Sequence, residues 1–152
     1  MLNRARVQHK WIDYNGHMMD GYYAVAFSAG VDAFIDRVGL DAAYRARSHG
    51  TIYTAEMHIL YLRELKAGDP LRLAGQLLGY DPKRIHLFIA LHHDAENFLA
   101  ATAELMLLHV NQDERRVAPL PPDILTSLER LSEAHAQLPM PPQVGRKISL
   151  TR

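Results

Sequence analysis

The chain changes its hydrophobic period twice. Between Tyr22 and Val38, the residues Tyr23, Phe27, Gly30, Val31, Phe34, Ile35 and Val38 recur at helical spacing, and Ala24, Ala26, Ala29 and Ala33 fill much of the remaining surface. Strong polarity comes only from Ser28, Asp32, Asp36 and Arg37, so this helix is too apolar to leave half its surface in water. It must be wrapped. Gly39 is a natural stop, because the residue after a helix often needs positive φ, and Leu40 to Arg47 predict a short second helix.

From Thr51 the period becomes two. Thr51–Leu65, Leu71–Tyr80, Ile85–His92 and Phe98–Val110 read as strands, the first long enough to require a bend or bulge. Turn-forming clusters separate them: Gly68-Asp69-Pro70, Asp81-Pro82-Lys83 and Asp94-Ala95-Glu96-Asn97. Connections this short predict an antiparallel four-strand meander, to which Ala5–Trp11 adds a fifth strand. Beyond Pro119, Pro121 and Pro122, the period returns to helical. Asp123 is positioned to cap a last helix with Ile124, Leu125, Leu128, Leu131, His135 and Leu138 on one stripe. The reading is a single α+β domain over residues 1–152: an antiparallel sheet of about five strands, a long central helix and a C-terminal helix. Residues 139–152 are expected to run as an extended tail along a surface or a partner subunit.

Composition narrows the functions. The 152 residues hold 17 basic and 17 acidic side chains, so no global field recruits nucleic acid or an anionic membrane. Cysteine is absent, which removes thiolate chemistry and disulfides. No signal peptide or membrane span is legible, and cytoplasmic location is the expectation. Nine histidines are many for this length, but none shows the spacing that sets metal ligands on one helical face. His92-His93-Asp94, or His58 with Glu56, could be drawn into a metal site only through alternate strand positions; no metal is expected.

The densest chemistry sits between the first strand and the apolar helix, in Trp11-Ile12-Asp13-Tyr14-Asn15-Gly16-His17-Met18-Met19-Asp20-Gly21-Tyr22-Tyr23. Asp13, Asn15 and His17 place a carboxylate, a carboxamide and an imidazole within five residues, and Gly16 lets backbone approach a ligand. Asp20 and Gly21 fall where a helix N-cap belongs. On spacing alone, the favoured reading of Asp-x-Asn-Gly is a plain turn with His17 a solvated ring, since these residues dominate turns for local reasons.

Asp13-Tyr14-Asn15-Gly16-His17-Met18 followed by Tyr22-Tyr23 resembles the Asp-x-x-Gly-His motif of hotdog acyl-CoA thioesterases, in the 4-hydroxybenzoyl-CoA thioesterase superfamily. It is also similar to the Asp-x-Asn-x-His set of plant acyl-carrier-protein thioesterases. Tyr53-Thr54-Ala55-Glu56, Tyr61-Leu62-Arg63-Glu64, Gly68-Asp69, Ala103-Glu104 and His109-Val110 extend the likeness toward thioesterases associated with, or fused to, bacterial carnitine dehydrogenases. The resemblance implies a curved sheet wrapped around the central helix, and hydrolysis of a small or polar acyl-CoA such as betainyl-CoA.

In that reading Asp13 is general base or nucleophile, Asn15 orients it or the water, and His17 holds the loop or polarises the carbonyl. Backbone N–H groups from Gly16 to the helix start face the oxyanion. Tyr53 and Thr54 border the pocket. Trp11, Tyr14 and Tyr22 either wall a quaternary ammonium group or simply staple the helix start, the second being the favoured reading. Coenzyme A enters only as part of the substrate, with no other cofactor, and the resemblance implies a homodimer or homotetramer. Where those families carry Asn, this chain has Met19, and Asp20 is the available substitute cap. That departure is the feature favouring the alternative, a non-catalytic hotdog module that binds an acyl thioester or only assembles. A dehydratase or isomerase is disfavoured, because Ser28, Asp32 and Asp36 bring no histidine to the helix.

Overall fold

A computed structural model describes residues 1–150. Its elements are β1 (Asn3–Arg6), a 3-10 turn (His9–Trp11), α1 (Asp20–Val38), α2 (Ala42–Ser48), β2 (Gly50–Tyr61), β3 (Pro70–Tyr80), β4 (Arg84–His93), β5 (Leu99–Asn111), β6 (Arg116–Val117) and α3 (Pro122–His135). The sheet is antiparallel throughout, with order β1-β3-β4-β5-β2 and β6 attached to β5.

Helix α1 supplies the core. Tyr23, Ala26, Phe27, Gly30, Val31, Phe34, Ile35 and Val38 are all buried. They meet Leu71, Leu73, Leu77, Ile85, Leu87, Ile89, Leu91, Leu105 and Leu107 from the facing side of the sheet. Full burial of each large apolar side chain is worth about 1.5–3 kcal/mol, so this one interface dominates the fold. Gly30 marks the closest approach: a Cβ there would stand 3.0 Å from Leu73 Cδ2 and 3.2 Å from Ile89 Cδ1. Gly39 ends the helix with φ 100°, as expected of its position.

Three expectations change. The N-terminal strand stops at Arg6, and Trp11 belongs to a 3-10 turn that buries its ring under the start of α1. The cap of α3 is Pro121, with Asp123 in the first turn. The meander is also interrupted: β2 does not pair with β3 but lies at the far edge beside β5. The segment Leu62–Asp69 is no tight hairpin; roughly eight residues reach up to about 26 Å, whereas crossing three strand spacings needs only about 14 Å. It crosses the end of the sheet, held where Leu62 N and Arg63 N donate to Ala100 O and Met18 N donates to Leu65 O. That crossing brings residues 61–65 to the loop before α1.

β2 carries the anticipated irregularity, a register shift between Thr54 and Glu56. The described part of the tail lies along the protein's own sheet, on the face opposite α1. Gln76 Nε2 donates to Pro139 O at 3.4 Å and Gly145 N donates to Glu104 Oε2 at 2.7 Å. Residues 151 and 152 of the expected tail lie outside the described residues. Among the described residues, no helix is long and apolar enough to cross a membrane.

Candidate active site

The loop between the 3-10 turn and α1 is a small closed hairpin. Ile12 and Met18 form an antiparallel bridge, Asp13 N donates to His17 O at 2.9 Å, and Gly16 N to Asp13 O at 3.1 Å. Gly16 occupies the left-handed region at φ 79°, which a side chain would strain. Met19 N donates to Trp11 O at 2.9 Å, fixing the hairpin to the turn before it.

Within this frame the Asp13 carboxylate folds back on its own loop. Oδ1 accepts from Asn15 N at 2.8 Å and from His17 N at 3.4 Å, and Oδ2 accepts from Asn15 Nδ2 at 3.4 Å. Partial desolvation pushes its pKa up, but the backbone N–H groups of Asn15 and His17, the Asn15 carboxamide and the His17 ring together hold it below the usual aspartate value of 3.8. The group is therefore an anion at neutral pH. His17 Nε2 stands 3.6 Å from Glu64 Oε1 on the crossing segment.

Asp13 opens onto a cavity of about 380 Å³ lined by Asp13, Met18, Asp20, Tyr23, Tyr61, Leu62, Arg63 and Glu64. The start of α1 forms one wall. Met19 is its N-cap and makes no side-chain hydrogen bond, while Asp20, one residue further on, accepts from Gly21 N at 2.8 Å. Asp20 is thus a first-turn residue rather than the cap, and it takes over one amide of that turn. Tyr23 and Tyr61 meet edge to face, 5.2 Å apart at 87°, and Tyr61 Oη donates to Asp20 O at 3.4 Å. Burial pushes the Tyr23 hydroxyl up to about 12, reinforced by Tyr61, Glu64 and Asp69 against an opposing backbone hydrogen bond with Leu65. The phenol stays neutral.

Asp13, Asn15, Gly16 and His17 are thus brought together by one hairpin. The other expected residues stand elsewhere in the chain. Trp11 is buried and stacks on Tyr22 at 5.5 Å and 16°, so the two rings cover each other instead of walling the cavity. They staple the helix start. Tyr53 lines a separate cavity with Leu108, Val110 and Val117, and Thr54 is exposed at the bulge. Eight residues of extended strand, roughly 26 Å, separate Tyr53 from Tyr61. Tyr61, Tyr23 and Asp20 are the lining residues that motif reasoning overlooked. For Tyr61 no local signal exists, because its position depends on where β2 pairs. Among the described residues, no three His, Asp or Glu side chains are grouped to hold a metal ion.

A curled antiparallel sheet around one long helix is the hotdog fold. Comparison with known proteins agrees: the thioesterase-like superfamily matches residues 7–128, and the chain belongs to it. The chain is 42% identical over 141 residues to the betainyl-CoA thioesterase of Pseudomonas aeruginosa, covering 93% of this chain and 89% of that one. It is 41% identical over 152 residues to the L-carnitine dehydrogenase/betainyl-CoA thioesterase of Agrobacterium fabrum, spanning 99% of this chain but only 31% of that longer protein. A Staphylococcus aureus protein solved in complex with CoA superposes with a TM-score of 0.91 at 33% identity, covering 97% of this chain and 93% of that one.

Proposed function

We propose that this chain hydrolyses the coenzyme A thioester of a small cationic acid, betainyl-CoA, and that Asp13 is the group on which turnover depends. The observation carrying the reading is the Asp13 carboxylate, kept ionised by loop amides and facing a cavity at the start of α1. A thiolate is a good leaving group, so a single positioned carboxylate suffices without a triad. Asp13 either draws a proton from water as it attacks the carbonyl carbon, or attacks that carbon itself to give a mixed anhydride that water then opens. Asn15 keeps the carboxylate aimed, and His17 ties the hairpin to Glu64. At the first turn of α1, Gly21 N is taken by Asp20 Oδ1 and Tyr22 N by Met19 O, so the Asp20 amide is the donor for the developing oxyanion.

Two copies are expected to pair along β2. It is an edge strand of 12 residues whose stretch Tyr53–Glu56 is exposed, and an open edge of that length seeks a partner. A two-fold antiparallel pairing centred near Met57 would set Tyr53 of one copy opposite Tyr61 of the other. Tyr53 and Thr54 would then border the cavity of the second subunit, the place the motif reading gave them.

Thiol release from a panel of CoA esters tests the proposal. Betainyl-CoA should be turned over faster than short-chain, aromatic and long-chain esters. Release from none of them would leave the chain a binding or assembly module, the alternative that Met19 favours.

A further inference from the structure

We infer that the Tyr61 ring, braced by Tyr23 and flanked by the carboxylates of Asp20 and Glu64, forms a subsite that selects an acyl group carrying a quaternary ammonium. The inference rests on the hydrolase reading above and names what that site selects. A quaternary ammonium donates no hydrogen bonds; it is held by π faces and by negative charge nearby. The cavity offers both. Tyr61 is half exposed and supplies the π surface, while Tyr23 is buried and meets it edge to face at 87°, bracing the ring. The hydrogen bond from Tyr61 Oη to Asp20 O fixes that ring to the start of α1, beside the carboxylate of Asp13.

The charge around the Tyr61 ring is one-sided. Asp13, Asp20 and Glu64 line the cavity against a single basic lining residue, Arg63. That guanidinium is engaged elsewhere: it lies 3.7 Å over the Phe98 ring and 3.7 Å from Glu96. His17 faces Glu64 at 3.6 Å from outside the lining set. An anionic acyl group would meet two further carboxylates beside Asp13, whereas a permanent cation lowers the cost of gathering them. The stacked pair Trp11 and Tyr22 offers no such open ring, since Trp11 is buried and at 16° each ring covers a face of the other.

The test uses two substrates of one shape. 3,3-Dimethylbutanoyl-CoA replaces the nitrogen of betainyl-CoA with carbon and removes the charge. The kcat/KM for each ester is divided by its hydroxide-catalysed rate, which removes the activation the ammonium gives the carbonyl. On that scale wild-type protein should favour betainyl-CoA by about 10-fold, the size of one cation–π contact. Tyr61→Leu should reduce that ratio to within about 3-fold, while Tyr61→Phe, which keeps the ring, should retain it. Glu64→Gln should lower it by roughly 2-fold. Equal turnover of the two esters by wild type on that scale, or a ratio untouched by Tyr61→Leu, overturns the subsite and leaves the hydrolase reading standing. Thiol release from neither ester overturns the hydrolase reading instead. The subsite is then decided by the Kd ratio of two uncleavable ketones, with a methylene between carbonyl and sulfur: a 10-fold preference for the cation supports it, and equal Kd values overturn it.

Discussion

Two clusters in this molecule pair histidine with carboxylates beside a cavity, and they are not equivalent. On the sheet face opposite α1, a space of about 300 Å³ is lined by Glu56, His58, His86, Glu104, Gly145 and Arg146. There Glu104 is bonded on both oxygens: His86 Nε2 lies 2.8 Å from Oε1, and Gly145 N donates to Oε2 at 2.7 Å. The cluster fastens the tail to the sheet. At the α1 end, Asp13 receives its hydrogen bonds from the backbone and side chain of its own hairpin, and the carboxylate still faces open space. The lesson is that residue type does not make a site. A carboxylate whose partners come from distant parts of the chain is fastening the fold, whereas one held ionised by its own loop beside a cavity is available to a substrate.

The sharpest way to break that contrast is to neutralise each carboxylate in turn. Asp13→Asn should lower kcat by about 10²–10⁴-fold, the usual worth of a positioned general base, with the fold intact by circular dichroism. Asn15→Ala removes one of several partners of Asp13 and should cost less, roughly 10-fold in kcat by steady-state thiol release.

A third prediction concerns packing far from both clusters. Tyr44 Oη and His109 Nε2 share a buried hydrogen bond of 2.7 Å, and His109 Nδ1 bonds Ala118 O at 2.9 Å. A Cβ on Gly50 would collide with Tyr44 Oη and fall 2.7 Å from His109 Nε2, so Gly50→Ala must displace that pair. Chemical denaturation should register a loss of about 1–3 kcal/mol. The smallest effect belongs to Glu104→Gln: about 1 kcal/mol of stability from the weakened tie between sheet and tail, and less than about 2-fold in kcat/KM. A loss of activity there comparable with that of Asp13→Asn would erase the distinction between the clusters.

Much of this arrangement was legible beforehand, for physical reasons that differ by element. Helix α1 announced itself because a face as broad as Tyr23 to Val38 has no stable place except inside a sheet. The turns at Asp81-Pro82 and Asp94 to Asn97 were readable because their chemistry is local, and Asn97 indeed adopts φ 57°. The Asp13 hairpin was readable on the same grounds, and family resemblance raised it above an ordinary turn. The position of β2 was not readable. Its pairing with β5 instead of β3 is settled by which edges remain after the sheet curls around α1, and the segment after it carries turn residues that suit a hairpin equally well. Tyr61 and Glu64 reach the cavity only through that choice. For Trp11 the sequence favours a staple over a wall, and in the structure its ring is buried and stacked on Tyr22.

The measurement that bears most directly on the central claim is the pH dependence of kcat/KM for betainyl-CoA. Because Asp13 is ionised above a pKa held below 3.8, activity should persist down through the ordinary carboxylate range and fall only as pH drops below that value. An acid limb centred near 6.5, where an ordinary histidine titrates, would show that an imidazole and not the Asp13 carboxylate must be unprotonated for turnover.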